Sequence, residues 1–160
     1  MLAVVVAQKD RQVPSMAMVI LLMFMFWVFV AHTTFALFMG VSALTNITSS
    51  AEMLLQGRGL VMLLTGTVVG AGFAAVLFSI TVVGLPLILD REVDLVSAII
   101  ASFQAVGANL TVMLAWALVI AGMLFAGILP LFLGLFIVLP VLGHASWHMY
   151  RRMMPDPEPA

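Results

Sequence analysis

The sequence predicts an all-α integral membrane bundle of four transmembrane helices, with an interfacial elbow helix between the second and third spans. Three observations predict it. Of 160 residues, 64% are apolar and 8% are charged, against about 25% charged in soluble domains, and no water-facing globule of this size hides that much hydrocarbon. Asp, Glu, Lys and Arg are missing between Gln12 and Ala51, between Gly59 and Leu89, and between Leu95 and Tyr150. Each interval holds one or two of the roughly 20-residue segments that cross a bilayer. Gly84 and Pro86 close the second interval, and Gly127, Pro130 and Gly134 divide the longest.

The first span is expected at about 16–38, opened by Pro14 and Ser15 and apolar on every side, as a helix solvated by lipid or protein must be. Gly40 and the stretch from Ser42 to Ser50 end it. Ser49 followed three residues later by Glu52 is a capping-box pattern, so Ser50 to Gln56 reads as a short surface helix stopped by Gly57 and Gly59. The Asn46-Ile47-Thr48 sequon is read as accidental. The second span, about 60–83, carries Gly66, Gly70 and Ala74 at four-residue spacing, a stripe of small side chains along which another helix can approach. Gly84 and Pro86 break it just before Asp90, Arg91, Glu92 and Asp94, the densest charge cluster.

From Asp94, the apolar residues Leu95, Val96, Ile99, Ile100, Phe103 and Val106 recur at spacings of three and four, opposite Ser97, Ala101 and Gln104. That pattern predicts an amphipathic interfacial helix over about 94–107, with Asp94 as its N-cap. Leu110 to Tyr150 is uncharged and as one helix would reach about 60 Å, twice the hydrocarbon thickness. It must fold back, and Gly127, Pro130 and Gly134 mark the turn, giving spans of about 110–128 and 131–150. Pro140 bends the last span, Trp147 and Tyr150 sit at an interface, and Arg151 and Arg152 stop the helix in water. The tail 155–160 reads as disordered.

Basic residues set the orientation. Lys9, Arg11, Arg91, Arg151 and Arg152 fall on one side of four spans and Arg58 alone on the other, so the positive-inside rule places both termini in the cytoplasm of a bacterial inner membrane. A net charge of −1 from scattered basic residues excludes a nucleic-acid surface. The absence of Cys removes thiolate metal sites and cysteine catalysis. Met1 to Val6 is too short for a cleaved signal peptide, and its basic residues follow it.

His32 is the one ionisable side chain well inside the first span; the structural reading, a neutral imidazole bonded to a neighbouring helix, is preferred over a functional one. On the last helix, His144 and His148 share a face that Trp147, Tyr150, Arg151 and Arg152 extend to the cytoplasmic surface. Interfacial anchoring, with the arginines on lipid phosphate, is the preferred reading of that face; contact with a partner protein is the second. Metal or haem ligation by His144 and His148, completed by Asp90, Glu92 and Asp94, is the weakest. A site joining His32 to His144 is excluded by depth, since they lie about 24 Å and about 9 Å from the cytoplasmic ends of their helices. Trp27 and Trp116 read as packing residues, and the Gly66, Gly70, Ala74 stripe as helix packing in preference to a binding groove. No catalytic motif emerges and no cofactor is expected.

Four stretches carry a family resemblance: LPLILDREVD (Leu85 to Asp94), AIIASFQAVGAN (Ala98 to Asn109), MLAWALVIA (Met113 to Ala121) and FLGLFIVLPVLGHASWHMYR (Phe132 to Arg151). From Leu85 onward the chain resembles the bacterial predicted integral membrane proteins catalogued as domain of unknown function 2189, with a looser likeness back to the first span. Members are typically longer at the N-terminus, so the resemblance implies a shortened variant or a start placed late at Met1. It implies location and no chemistry. The expected role is a non-catalytic accessory or scaffold component that contacts lipids, other integral membrane proteins or itself. The alternatives are a small transporter or permease module and a metal- or haem-associated accessory subunit of a respiratory complex.

Overall fold

The computed structural model describes the backbone of residues 2–40 and 57–154, and side chains from residue 12 onward within those stretches. The expected surface helix from Ser50 to Gln56, the Asn46 sequon and the tail 155–160 lie outside the described residues. Among the described residues six helices follow one another: α1 (Leu2–Met39), α2 (Arg58–Thr81), α3 (Gly84–Asp90), α4 (Leu95–Ala108), α5 (Leu110–Ile128) and α6 (Leu135–Met153). Among the described residues, three segments are long and apolar enough to cross a membrane: Gln12–Met39, Arg58–Asp90 and Leu110–Ile128.

The chain divides into two compact units, Met1–Met16 with Phe78–Ala160, and Ala17–Leu77. In the Ala17–Leu77 unit, α1 and α2 present large apolar side chains outward, Leu22, Phe24, Phe26, Phe29, Val61, Leu64 and Val68 among them. Phe26 meets Phe73 edge to face at 5.6 Å. Gly40 closes α1 with φ 85°, a left-handed value that glycine adopts without a Cβ penalty, and its amide bonds Ala36 O at 2.9 Å.

The other unit is organised around a close crossing of α3 and α4. Pro86 cannot donate and crowds the carbonyl four residues before it, so α2 breaks at Val82 and Val83, and α3 restarts with Pro86 in its first turn, where helical amides have no intrahelical partner. The break strands the Val83 amide. Ser102 Oγ accepts from it at 3.2 Å, and both residues are fully buried. A Cβ on Gly84 would lie 3.3 Å from Ala98 O, 3.3 Å from Met16 Cε and 3.5 Å from Ser102 Cβ, so glycine there lets the helices meet backbone to backbone. Two donors at the α4 N-terminus are satisfied by side chains: Asp94 accepts from the Ser97 amide at 3.0 Å, and Gln12 Oε1 from the Leu95 amide at 3.1 Å.

Three boundaries differ from expectation. Pro14 does not open the first helix; it lies inside α1, which begins by Leu2. A proline deletes one backbone bond, and in a helix this long the remaining turns carry it through. α4 keeps its expected extent; Ala98, Ser102 and Val106 are its buried residues, while Val96, Ile100 and Phe103 point outward. Close approach to Gly84 selects small side chains over large ones. The turn after α5 runs through Gly134, because Leu131 and Phe132 take left-handed φ values of 52° and 66°, so α6 starts at Leu135 and not at 131. Finally, α6 continues through Arg151 and Arg152 to Met153. Having lost three apolar residues to the turn and gained this basic end, α6 does not rank with the three spanning segments.

Candidate functional site

The richest polar constellation gathers where α3 ends and α6 ends. Tyr150 is fully buried, and its hydroxyl donates to Asp90 Oδ2 at 2.8 Å. Arg151 Nη1 donates to the same oxygen at 3.4 Å, and Arg91 Nε stands 3.8 Å from it. Arg91 Nη2 also donates to Met154 O at 2.9 Å, placing a cation on a carbonyl just past the end of α6, where the helix dipole is negative. The Trp147 ring lies against Tyr150, centroids 5.4 Å apart and tilted by 43°. A carboxylate with one phenol and two guanidiniums around one oxygen is a tie between two helix ends.

The face predicted on α6 is therefore split. Tyr150 turns inward, whereas His144, Trp147, His148, Arg151 and Arg152 are exposed. His144 Nδ1 lies 3.0 Å from Pro140 O on its own helix. The three carboxylates offered as completing a histidine site go elsewhere: Asp90 to Tyr150 and Arg151, Asp94 to the Ser97 amide, while Glu92 is exposed. Those hydrogen bonds hold the Asp94 carboxyl below its ordinary value of 3.8. Among the described residues no group of three His, Asp or Glu side chains is placed to hold a metal ion.

His32 is exposed, and its Nδ1 lies 2.8 Å from Val28 O, four residues earlier on α1. The expected bond to a neighbouring helix is thus replaced by one to its own backbone. Thr33 and Thr34 bond back in the same way, to Phe29 O and Val30 O. A side chain that reaches its own helix satisfies its polarity without a partner helix.

The Gly66, Gly70, Ala74 stripe does not seat a backbone. Nothing lies within 4 Å of a Cβ placed on Gly66; at Gly70 the nearest atom is Trp27 Nε1 at 3.6 Å. The stripe floors two open apolar grooves between α1 and α2, of about 180 and 390 Å³, with Trp27 between them. The glycines that do mediate close approach are Gly84 and the pair Gly127 and Gly134, which the sequence marks only as breakers. A Cβ on Gly134 would fall 2.8 Å from Gly127 Cα and 2.8 Å from its carbonyl oxygen. The Asp90–Tyr150 tie was not foreseen; its only sequence signal is a charge cluster and an aromatic–basic cluster, each at the end of an uncharged run.

Apolar helices of spanning length, carrying outward side chains that only hydrocarbon or another apolar surface suits, define an integral membrane protein of several helices. The chain belongs to the family described as predicted integral membrane protein (DUF2189), whose model matches residues 1–90. That match lies on the first half of the chain, whereas the stretches read as most similar begin at Leu85; the two overlap only from Leu85 to Asp90. No curated protein and no solved structure matches the chain.

Proposed function

We propose that the protein is a non-catalytic accessory or scaffold component of the bacterial inner membrane, working by contact with other integral membrane proteins and with lipid. One observation carries this reading. In the first spanning segment, Gln12–Met39, only 6% of the apolar window is buried within the chain, so most of its residues keep surface open to an outside apolar partner. Soluble surfaces are not built this way, and among membrane helices association proceeds through packing of such faces.

The proposed arrangement has four membrane helices, α1, α2 with α3, α5 and α6, with α4 along the interface and both termini in the cytoplasm, as the distribution of basic residues favours. In it, the exposed Arg151 and Arg152 end of α6 meets the anionic headgroups of the cytoplasmic leaflet, where an arginine near the surface contributes about 1 kcal/mol of attraction. Crosslinking in native membranes, followed by purification in a gentle detergent, tests the role. A stable larger complex containing one or more other integral membrane proteins is expected. A solitary monomer, crosslinked to nothing, contradicts it.

A further inference from the structure

The connection between α5 and α6 has the wrong chemistry for a loop in water. Residues 129–134 read Leu-Pro-Leu-Phe-Leu-Gly, without one polar side chain, and all but Gly134 are exposed. Leu131 is 84% exposed, and Ile128 on α5 and Phe136 and Ile137 on α6 are exposed as well.

Five backbone amides of this turn and of the start of α6 are paired within the hairpin. The Leu129 amide donates to Phe125 O, Phe132 to Ile128 O, Leu133 to Pro130 O, Leu135 to Phe132 O and Phe136 to Leu133 O, at 3.0 to 3.3 Å. Position 130 is proline, which has no amide to satisfy. Hydrocarbon demands such internal pairing and water does not, because water pairs free backbone groups itself. Holding the turn this tight requires left-handed φ at two non-glycine residues, Leu131 and Phe132, and a backbone contact between Gly127 and Gly134.

Length points the same way. From Gly134 along α6, His148 lies about 21 Å away and Arg151 about 26 Å, and along α5 Ile128 lies about 28 Å from Asn109, at 1.5 Å per residue. With those polar residues at one edge of a hydrocarbon layer about 30 Å thick, both helices bring the turn just inside the other edge, and any tilt draws it further in.

We propose that the α5–α6 turn, residues 129–134, lies in the bilayer hydrocarbon among lipid acyl chains and does not surface in water, so that the hairpin enters and leaves the membrane from one side. This leaves the sidedness of the termini unchanged, since a hairpin returns to the side it came from. The inference rests on the membrane-integral reading of α5, and the test separates the two.

The chain has no cysteine, so single-cysteine variants of the full-length protein, reconstituted in lipid vesicles, can be labelled with a nitroxide one position at a time. Leu131→Cys and Leu133→Cys probe the turn, Leu118→Cys the middle of α5, and Glu92→Cys the aqueous segment between α3 and α4. Collision with oxygen, which concentrates in hydrocarbon, is compared with collision with a water-soluble nickel chelate. Oxygen access exceeding nickel access at positions 131 and 133, with the reverse at 92, is the expected result. In parallel, a membrane-impermeant maleimide should label positions 131 and 133 at least about tenfold less in intact vesicles than after denaturation. Nickel access and full labelling at the turn overturn the proposal, and so does exclusion of both collision partners, which would mean burial against protein. If Leu118→Cys is itself nickel-accessible, the membrane reading of α5 has failed, and the placement of the turn with it. Retained helical circular dichroism shows which variants are folded, and two turn positions guard against the loss of one.

Discussion

The Tyr150 hydroxyl donates to Asp90 Oδ2 at 2.8 Å across sixty positions of sequence, tying the end of α3 to the end of α6. Arg151 and Arg91 flank the same oxygen, but their side chains are 39% and 31% exposed, and partly exposed ion pairs of this kind contribute under about 1 kcal/mol. The phenol is buried and its bond goes to a charged acceptor. Tyr150→Phe is therefore expected to lower stability by about 1–3 kcal/mol. Asp90→Asn, which keeps an acceptor, should cost less than Asp90→Ala. Denaturant titration in detergent micelles measures all three, and a neutral Tyr150→Phe would show that the tie does not hold the helix ends.

Ser102→Ala removes the acceptor of the stranded Val83 amide at a site where both residues are buried. An orphaned buried donor costs about 1–3 kcal/mol. Ser102→Ala is expected to destabilise the α3–α4 crossing by that amount and to speed amide exchange at Val83. Unchanged exchange would mean that the hydroxyl is dispensable there.

Glycine substitutions should divide by what a Cβ meets. Gly134→Ala drives a methyl against the Gly127 backbone at 2.8 Å, and backbone cannot step aside, so a loss of about 1–3 kcal/mol is expected. Gly66→Ala meets nothing within 4 Å and should be neutral, or slightly stabilising through the higher helix propensity of alanine, about 1 kcal/mol at most. Thermal unfolding of the two variants side by side checks this. The reverse order would restore the stripe on α2 as the packing surface.

At the α4 N-terminus the sign of the pH dependence follows from Asp94. Its folded pKa is depressed below 3.8 by the hydrogen bonds from Ser97. A depressed acid stabilises the folded state above its unfolded pKa and loses that contribution as pH falls through the folded value. The Ser97 amide should thus be protected from exchange at pH 5 and above, and lose protection only as the pH falls below 3.8. Asp94→Ala should abolish both the protection and its pH dependence, whereas Asp94→Asn, a competent cap at any pH, should keep the protection and lose the dependence.

The sequence makes some of this plain for local reasons. α5 occupies Leu110–Ile128 as expected, because an uncharged run between Asn109 and a Gly–Pro–Gly turn leaves little latitude, and α4 follows an N-cap whose bond forms three residues away. What sequence did not disclose is tertiary. The burial of Ala98 and Ser102 on α4 depends on the close approach of Gly84. The start of α6 depends on left-handed Leu131 and Phe132, residues without turn propensity. The Asp90–Tyr150 bond joins two segments whose separate charge and aromatic signals read equally well as interface markers. At the Gly66, Gly70, Ala74 stripe the spacing suggested a packing surface, but the Trp27 side chain stands over Gly70 and the groove stays open.

The central claim is that these apolar helices reside in a bilayer, and an alkaline carbonate wash of membranes from cells producing the full chain tests it most directly. The chain should remain in the membrane pellet and enter solution only with detergent. Recovery in the carbonate supernatant, as protein that stays dispersed without lipid or detergent, would contradict the account.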